Sequence, residues 1–323
     1  MKRETVTSAT NPKIRNLLLL QEKSKARREQ GLFVVEGRRE LVHCLEGGFR
    51  VRTVFVCPEI AGPAEQAFLS ALLCDPCAVG KKAPAGARPY PGFCDSKNVE
   101  GEKAAGDSRG RSPLKIAEGG TGSETVSPSR LGDCLLIEIP EVLYRKVAYR
   151  DSTEGIIAEV ECKQLSLEQL RLPEHPLIVV LESVEKPGNL GAVLRSADAA
   201  GADAVLVCDP LTDLYNPNLI RASIGAVFTV PTVLVSSAEA IPWLKARGIR
   251  ILTAQLQDSS LYYDTDMRCG TALVMGTEAT GLTQPWRGAA DAHIRIPMLG
   301  RLDSLNVSVS TAILLFEAVR QRQ

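Results

Sequence analysis

The sequence predicts two α/β domains, the second built on a mostly parallel sheet with helices on both faces. Short apolar runs alternate with amphipathic helical segments, and this alternation is typical of parallel sheets. The clearest example is the stretch 177–201, which predicts a buried strand, a loop and a helix. Residues from about 79 to 131 are rich in Gly, Pro, Ser and charge, so we expect a disordered insertion there. The predicted domains are therefore 1–162 and 177–323, joined by a linker at 163–176.

The first domain is predicted to begin with a basic helix. Residues 5–31 predict a helix that starts near Asn11 and Pro12, because proline suits the first turn, and ends at Gly31. Strands and helices then alternate, as expected for a small α/β domain. The remaining predicted elements are a strand at 32–37, a helix at 38–48, a strand at 51–59, and a strand, a short helix and a strand within 134–161.

The second domain is predicted to begin with a strand covered on both faces, from Leu177 to Leu181. Asn189 is expected to cap the next helix through its side-chain oxygen. Apolar residues at helical spacing predict a buried stripe on this helix, and Arg195 lies off that stripe. The later elements are predicted as a strand at 202–209, a helix and a strand within 215–235, a helix at 237–248, strands at 249–255 and 271–276, and a closing helix at 304–323.

Charge is balanced over the whole chain but not along it. The 38 Lys and Arg equal the 38 Asp and Glu, so no global basic field indicates a nucleic-acid partner. Residues 1–50 nevertheless hold eleven Lys or Arg against six Asp or Glu. Such a run is either a solvated helix face or a binding patch. The clustered residues are Lys23, Lys25, Arg27, Arg28, Arg38 and Arg39.

The composition is that of a globular protein with no membrane or disulfide signal. Hydrophobic residues make up 45% of the 323, and no run of eighteen apolar residues or signal-peptide core occurs. We therefore expect a cytoplasmic location, in the cytosol or in an organelle matrix. The nine cysteines are scattered and expected to be reduced. Cys74 and Cys77 form a close pair, but no second ligand pair follows at suitable spacing, so no metal site is expected.

Three polar loops follow predicted strands of the second domain. They are SVEKPGN around Asn189, MGTEATGL at 275–282 and IPMLGRLDSLN at 296–306. Loops at the same ends of neighbouring parallel strands converge, so these three predict one pocket.

Each of these loops also has a structural explanation. Gly276 and Gly281 leave the backbone on either side of Glu278 free to approach a ligand, but a plain turn would explain the same pattern. Ser304 suits the cap of the last helix. Asn306 is not needed as a cap there, and its presence indicates hydrogen bonds within the pocket.

These residues resemble the motifs of a known family. The segments PGNLGAVLRSADAAGA, LVMGTEATGL and IPMLGRLDSLNVSVSTAILLFEA resemble the three signature motifs of the SpoU (TrmH-like) RNA ribose methyltransferases of the SPOUT superfamily. The resemblance covers about 145 residues, from Leu177 to the C-terminus, in the family's order and spacing. The segment TSATNPKIRNLLLLQEKSKARREQGLFVVEGRREL also resembles the ribosomal-protein-like RNA-binding domain of rRNA-directed members.

The resemblance implies a fold, a cofactor and partners. It implies a catalytic domain with a deep trefoil knot, S-adenosylmethionine bound by the knotted loops as methyl donor, and no metal. It also implies a homodimer formed through the catalytic domains. The basic residues of the first domain are then expected to bind RNA, with rRNA favoured over tRNA because minimal tRNA-directed relatives often lack that domain.

The resemblance assigns roles to individual residues. Arg195 matches the family's catalytic arginine, and Asn189 matches the asparagine that helps to arrange it. Glu278 matches the acidic residue of the second motif, while Ser304 and Asn306 match the polar pair of the third. The residues expected to hold the cofactor are Gly276, Ile296, Met298 and Leu305.

Arg195 is expected chiefly to stabilise charge, and the proton acceptor is left open. A ribose 2′-hydroxyl is a poor nucleophile at neutral pH, so it must be polarised and aligned with the methyl group. A guanidinium stays protonated in proteins and is a difficult base. Our hypothesis is that Arg195 stabilises the developing 2′-oxyanion and fixes the neighbouring phosphate.

Three alternatives remain beside an rRNA 2′-O-methyltransferase. The first is a tRNA 2′-O-methyltransferase, and the second is a catalytically silent RNA-binding protein of the same fold, which the intact polar motif residues disfavour. The third is a dinucleotide enzyme, but no G-x-G-x-x-G follows a first strand and no P-loop is present. The first motif departs from the family's usual Asp-Pro-x-Asn in having Lys186 in the acidic position.

Overall fold

The computed structural model describes residues 2–73, 134–149, 154–277 and 280–323. The predicted insertion at 79–131, the Cys74 and Cys77 pair, and Glu278 lie outside these residues.

The first domain contains a five-stranded sheet in the order β1-β4-β3-β5-β2. Strand β5 is antiparallel to β2 and β3, whereas the β1–β4 and β3–β4 pairs are parallel. The elements are β1 (Lys2–Thr5), α1 (Pro12–Glu22), α2 (Ser24–Gln30), β2 (Leu32–Glu36), α3 (Arg38–Glu46), β3 (Val51–Val56), α4 (Pro63–Leu73), β4 (Leu135–Glu138), α5 (Glu141–Val147) and β5 (Ile156–Glu161).

The predicted basic helix is two helices. Asn11 caps α1 by accepting a hydrogen bond from the Lys13 amide at 2.9 Å, and Pro12 is the first helical residue, as predicted. Lys23 is extended, with φ −110° and ψ 112°, and it separates α1 from the basic α2. Gly31 ends α2 in the left-handed conformation that glycine adopts without strain. The uniform helical propensity of this region conceals the break.

The second domain contains a seven-stranded sheet in the order β10-β12-β9-β11-β6-β7-β8. Every pairing in it is parallel, which confirms the predicted sheet type. The elements are β6 (Leu177–Glu182), α6 (Pro187–Ala200), β7 (Ala204–Cys208), α7 (Pro217–Ser223), α8 (Ala226–Thr229), β8 (Thr232–Val235), α9 (Ser237–Ala246), β9 (Arg250–Ala254), β10 (Ser260–Leu261), β11 (Thr271–Met275), α10 (Gln284–Ala289), β12 (Ala292–Arg295) and α11 (Val307–Gln321).

Helices cover both faces of this sheet, as predicted. Alternate residues of β6 point to opposite faces, so Val179 packs in the cluster with α6 and α11, whereas Val180 packs in the cluster with α9 and α10. All six β6 residues are buried, which explains why this strand has no polar alternation. The knot that the family resemblance implies stays a prediction.

The two sheets are joined by a shared core. Phe33 of β2 stacks on Tyr215 with ring centroids 4.2 Å apart, and Phe49 packs edge-on against Phe228 at 5.2 Å. The segment 163–176 also lies against the second domain, since Leu167 is buried in the cluster with α9. The first domain therefore packs directly on the second along this interface.

Candidate active site

The first loop places Asn189 inside α6 and not at its cap. The helix starts at Pro187, whose fixed φ suits the first turn, and Lys186 occupies the cap position without a side-chain cap bond. The predicted capping role of Asn189 is therefore wrong. Its side chain is instead half-buried near the start of the helix, at the carboxyl end of the sheet.

The third loop reaches Asn189 through Asn306. The Asn306 Nδ2 donates to the Asn189 Oδ1 at 3.1 Å, although the two residues are 117 positions apart. Asn306 also caps α11, because its Oδ1 accepts from the Ser308 amide at 3.0 Å. The expectation that Ser304 caps this helix is therefore wrong. The Asn306 side chain serves both as the cap of α11 and as the contact between the first and third loops. Ser304 lies exposed just before it.

The second loop folds back tightly on itself at Gly276. A Cβ on Gly276 would lie 2.4 Å from the carbonyl carbon of Gly281 and 2.6 Å from the amide nitrogen of Leu282. Thr277 and Gly281 exchange backbone hydrogen bonds of 3.2 and 3.1 Å, and Gly281 has φ 67°. The pair of glycines is thus required by backbone geometry.

A buried carboxylate that sequence reasoning missed links the first strand to the second loop. Glu182, the last residue of β6, is 2% exposed. Its Oε2 accepts from the Thr283 amide at 2.9 Å and its Oε1 accepts from the Thr283 hydroxyl at 2.5 Å. The available signal was a carboxylate at the end of an otherwise apolar strand.

Arg195 lies on the exposed side of α6, off the buried stripe, as predicted. It follows Asn189 by six residues, which places it about 9 Å further along the helix axis and on another side of the helix. Within the residues that the structure describes, its guanidinium makes no hydrogen bond or ion pair. A single chain therefore does not bring Arg195 into contact with the Asn189–Asn306 pair.

The apolar residues expected to hold the cofactor lie along the third loop. Ile296 packs against the core, Met298 is half-buried, and Leu305 is exposed. Between them Leu299 is 97% exposed, which leaves a large apolar side chain in solvent.

The loops leave open space beside their backbones. A Cβ on Gly188, Gly281 or Gly300, one in each loop, would meet no other atom within 4 Å. Backbone groups with open space beside them, together with the apolar side chains of Ile296 and Met298, suit a ligand that has both a polar and an apolar part. These residues therefore fit S-adenosylmethionine.

The residues of the basic patch differ in exposure and in ion pairing. Lys23, Lys25 and Arg28 are exposed, and the Lys25 Nζ lies 3.7 Å from Glu29. Arg38 is half-buried beside Glu65 at 3.1 Å, and Arg39 lies 3.5 Å from Glu40. Arg27 is 3% exposed and its Nε lies 2.6 Å from Asp213 of the second domain. The assignment of Arg27 to RNA contact is therefore wrong, because its charge is neutralised inside the domain interface.

The described ranges hold neither a membrane-spanning helix nor a cluster of metal ligands. No helix there is long and apolar enough to cross a membrane. The same residues contain no group of three or more His, Cys, Asp or Glu side chains placed to hold a metal ion.

Two solved structures with the same architecture are RNA methyltransferases. An RNA 2′-O ribose methyltransferase superimposes over 99% of both chains with a TM-score of 0.71 and 34% identity. The S-adenosylmethionine-bound rRNA methyltransferase of Sinorhizobium meliloti superimposes over 99% of both chains with a TM-score of 0.75 and 25% identity. The fold and the three loops therefore define an RNA methyltransferase of the parallel α/β class.

Sequence comparison identifies the family. The profile of the SpoU rRNA Methylase family matches residues 176–316, and that of the MRM3-like substrate binding domain matches residues 11–75. The 23S rRNA (guanosine-2′-O-)-methyltransferase RlmB of Pseudomonas putida is 39% identical over 177 residues, which are 53% of this chain and 71% of that protein. The chain belongs to the SpoU rRNA methylase family.

Proposed function

We propose that this chain transfers a methyl group from S-adenosylmethionine to the ribose 2′-hydroxyl of a nucleotide in ribosomal RNA. The observation that carries the proposal is the 3.1 Å contact between Asn189 and Asn306, which joins the first and third motifs of the family at one edge of the sheet. The relative from Pseudomonas putida is named for guanosine and one from Streptomyces viridochromogenes for uridine 2479, both of 23S rRNA. The proposal therefore names the ribose and not the base.

The cofactor would be held by the second and third loops. Gly276 and Leu305 would offer backbone groups, while Ile296 and Met298 would contact its apolar parts. When bound, S-adenosylmethionine supplies a methyl group activated by its sulfonium. Glu278 belongs to the same loop by sequence, and we retain it as a proposed active-site residue.

The polar residues would act on the ribose. As the 2′-oxygen forms its bond to the methyl carbon, the bond from that carbon to sulfur breaks and the hydroxyl proton leaves to a base or to water. The Arg195 guanidinium would stabilise the negative charge that develops on the oxygen, since it stays protonated. Asn189, Asn306 and Ser304 would orient the hydroxyl by hydrogen bonding.

The first domain would hold the RNA through the cations of its basic patch. Lys23, Lys25 and Arg28 lie on or beside α2 without burial, and Arg38 and Arg39 begin α3. Contacts of this kind neutralise phosphates, so the affinity for RNA falls as the salt concentration rises. The match of residues 11–75 to a substrate binding domain supports this assignment.

We further propose that the chain works as a homodimer through its second domain. Val309 and Phe316 of α11 are 47% and 50% exposed, and Arg195 lies exposed on α6, the helix against which α11 packs. A second copy that covers these helices would bury the apolar side chains and could bring Arg195 towards a neighbouring Asn189–Asn306 pair. We place the activity in the cytosol or in an organelle matrix, where ribosomes are assembled.

Methyl transfer tests the proposal directly. Purified chain is incubated with labelled S-adenosylmethionine and separate rRNA and tRNA fractions that lack the modification, and the labelled nucleoside is identified after nuclease digestion. We expect label in a 2′-O-methyl nucleoside of rRNA. Label in tRNA would favour the tRNA alternative, and cofactor binding without transfer to either fraction would favour a silent RNA-binding protein.

A further inference from the structure

Among the residues that the structure describes, the buried Glu182 carboxylate has one polar partner, Thr283. Both of its oxygens accept hydrogen bonds from Thr283, one from the amide at 2.9 Å and one from the hydroxyl at 2.5 Å. Among the described residues no Lys, Arg or His forms an ion pair with it. A buried carboxylate without a cation is costly even when hydrogen-bonded, and a neutral residue would serve strand β6 better for stability alone. Its presence therefore indicates a role other than stability.

Thr283 marks the junction between the second loop and α10. It occupies the cap position of that helix, directly after Leu282. The body of α10 is held independently, because Trp286 is fully buried and its Nε1 donates to the Ser237 hydroxyl at 2.8 Å. Glu182 therefore fixes the end of the second loop and not the helix as a whole.

Glu182 also marks the start of the first loop. The next residue, Ser183, has a positive φ of 52°, and its amide donates to the carbonyl of Cys208 at 2.9 Å. The chain thus turns away from the sheet immediately after Glu182, on the way to Asn189. One side chain sits between the loop that leads to Asn189 and the loop that begins at Gly276.

We propose that Glu182 is a positioning residue for methyl transfer. By holding Thr283 it sets the distance between the first loop, which bears Asn189, and the second loop, whose described residues are 276–277 and 280–282. This inference rests on the proposed function, in which the first loop aligns the ribose and the second holds the cofactor. A misplacement of about 1 Å between reacting groups can cost about a hundredfold in rate.

The activity test uses the whole chain and four variants of it. Glu182→Gln removes the charge but keeps the size, and Thr283→Val removes the hydroxyl donor. Thr283→Ser keeps both donors and should behave as the wild type. Asp203→Asn is the matched control, because Asp203 accepts from the Leu177 amide at 2.7 Å at the opposite end of the same strand. Affinity for S-adenosylmethionine is measured by calorimetry, and turnover is measured with rRNA.

We expect Glu182→Gln to lower turnover and cofactor affinity each about tenfold or more. Thr283→Val should act in the same direction, and the thermal unfolding midpoint of Glu182→Gln should equal or exceed that of the wild type. Wild-type turnover in Glu182→Gln, or an equal loss in Asp203→Asn, would overturn the inference.

Failure of the proposed function is distinguishable from failure of this inference. A wild-type chain that neither binds S-adenosylmethionine nor methylates RNA would refute the function itself. Amide hydrogen exchange in the chain without cofactor tests the contact separately: exchange at Thr283 and Gly281 should accelerate in Glu182→Ala and not in Asp203→Asn. Unchanged exchange in Glu182→Ala would overturn the positioning role in either case.

Discussion

Replacement of Gly276 by alanine should damage the cofactor loop more than the overall fold. The added Cβ would lie 2.4 Å from the Gly281 carbonyl carbon, whereas ordinary contacts begin at 3.4 Å, so the two backbone segments must separate by the difference of 1.0 Å. Overpacking of this kind costs about 1–3 kcal/mol. All three of the nearest atoms belong to the backbone of Gly281 and Leu282, so no side chain can rotate away.

The displaced atoms belong to the loop proposed to hold S-adenosylmethionine. We expect Gly276→Ala to weaken cofactor binding by about tenfold to a hundredfold, measured by calorimetry, and to lower the unfolding midpoint. Gly288→Ala is the matched control, because that Cβ meets nothing within 4 Å and alanine favours the helix. Wild-type affinity in Gly276→Ala would refute the assignment of this loop to the cofactor.

Four further substitutions test the other assignments and one buried carboxyl. Arg195→Ala should reduce turnover by about a hundredfold or more while cofactor affinity, measured by calorimetry, stays within about twofold; equal loss of both would mean a structural role. Arg27→Ala should cost about 3 kcal/mol in urea unfolding, because it leaves the Asp213 carboxylate without its cation. Arg28→Ala should change the free energy of unfolding by no more than about 0.5 kcal/mol and lower the salt slope of RNA binding by about 0.8. A larger loss of stability in Arg28→Ala than in Arg27→Ala, with the fall in salt slope seen in Arg27→Ala instead, would restore Arg27 as an RNA contact. Burial raises the pKa of the Glu159 carboxyl, so its folded-state charge costs stability once pH exceeds its ordinary pKa of 4.5. Glu159→Gln should therefore stabilise the fold at about pH 7 and lose that advantage towards about pH 4, as followed by urea unfolding; an advantage independent of pH would contradict this.

The sequence predicted most elements of the second domain, though not β10 or α10, because the signals of the others are local. The strand at 177–181 and the stripe of α6 follow from apolar runs and helical spacing, and β6 and α6 were found where they were expected. Strand β1 was missed because its four residues KRET are exposed and carry no apolar alternation. A break at Lys23 was missed because no proline or glycine marks it.

The candidate site was harder to predict because its residues act across the fold. Asn189 and Asn306 were predicted as site residues, and the structure brings them together, yet the helix caps beside them were misassigned. Capping depends on where Pro187 and Val307 begin each helix. Arg27 was grouped with its basic neighbours because its partner lies in the other domain.

The most direct measurement asks where on the nucleotide the label resides. Ribose 2′-O-methylation makes the adjacent phosphodiester resistant to alkali because no 2′-hydroxyl remains to attack it, whereas base methylation does not. rRNA labelled by the wild-type chain should release its label in an alkali-resistant dinucleotide, and Arg195→Ala should give about a hundredfold less of it. Release of the label as a mononucleotide would contradict methyl transfer to the ribose.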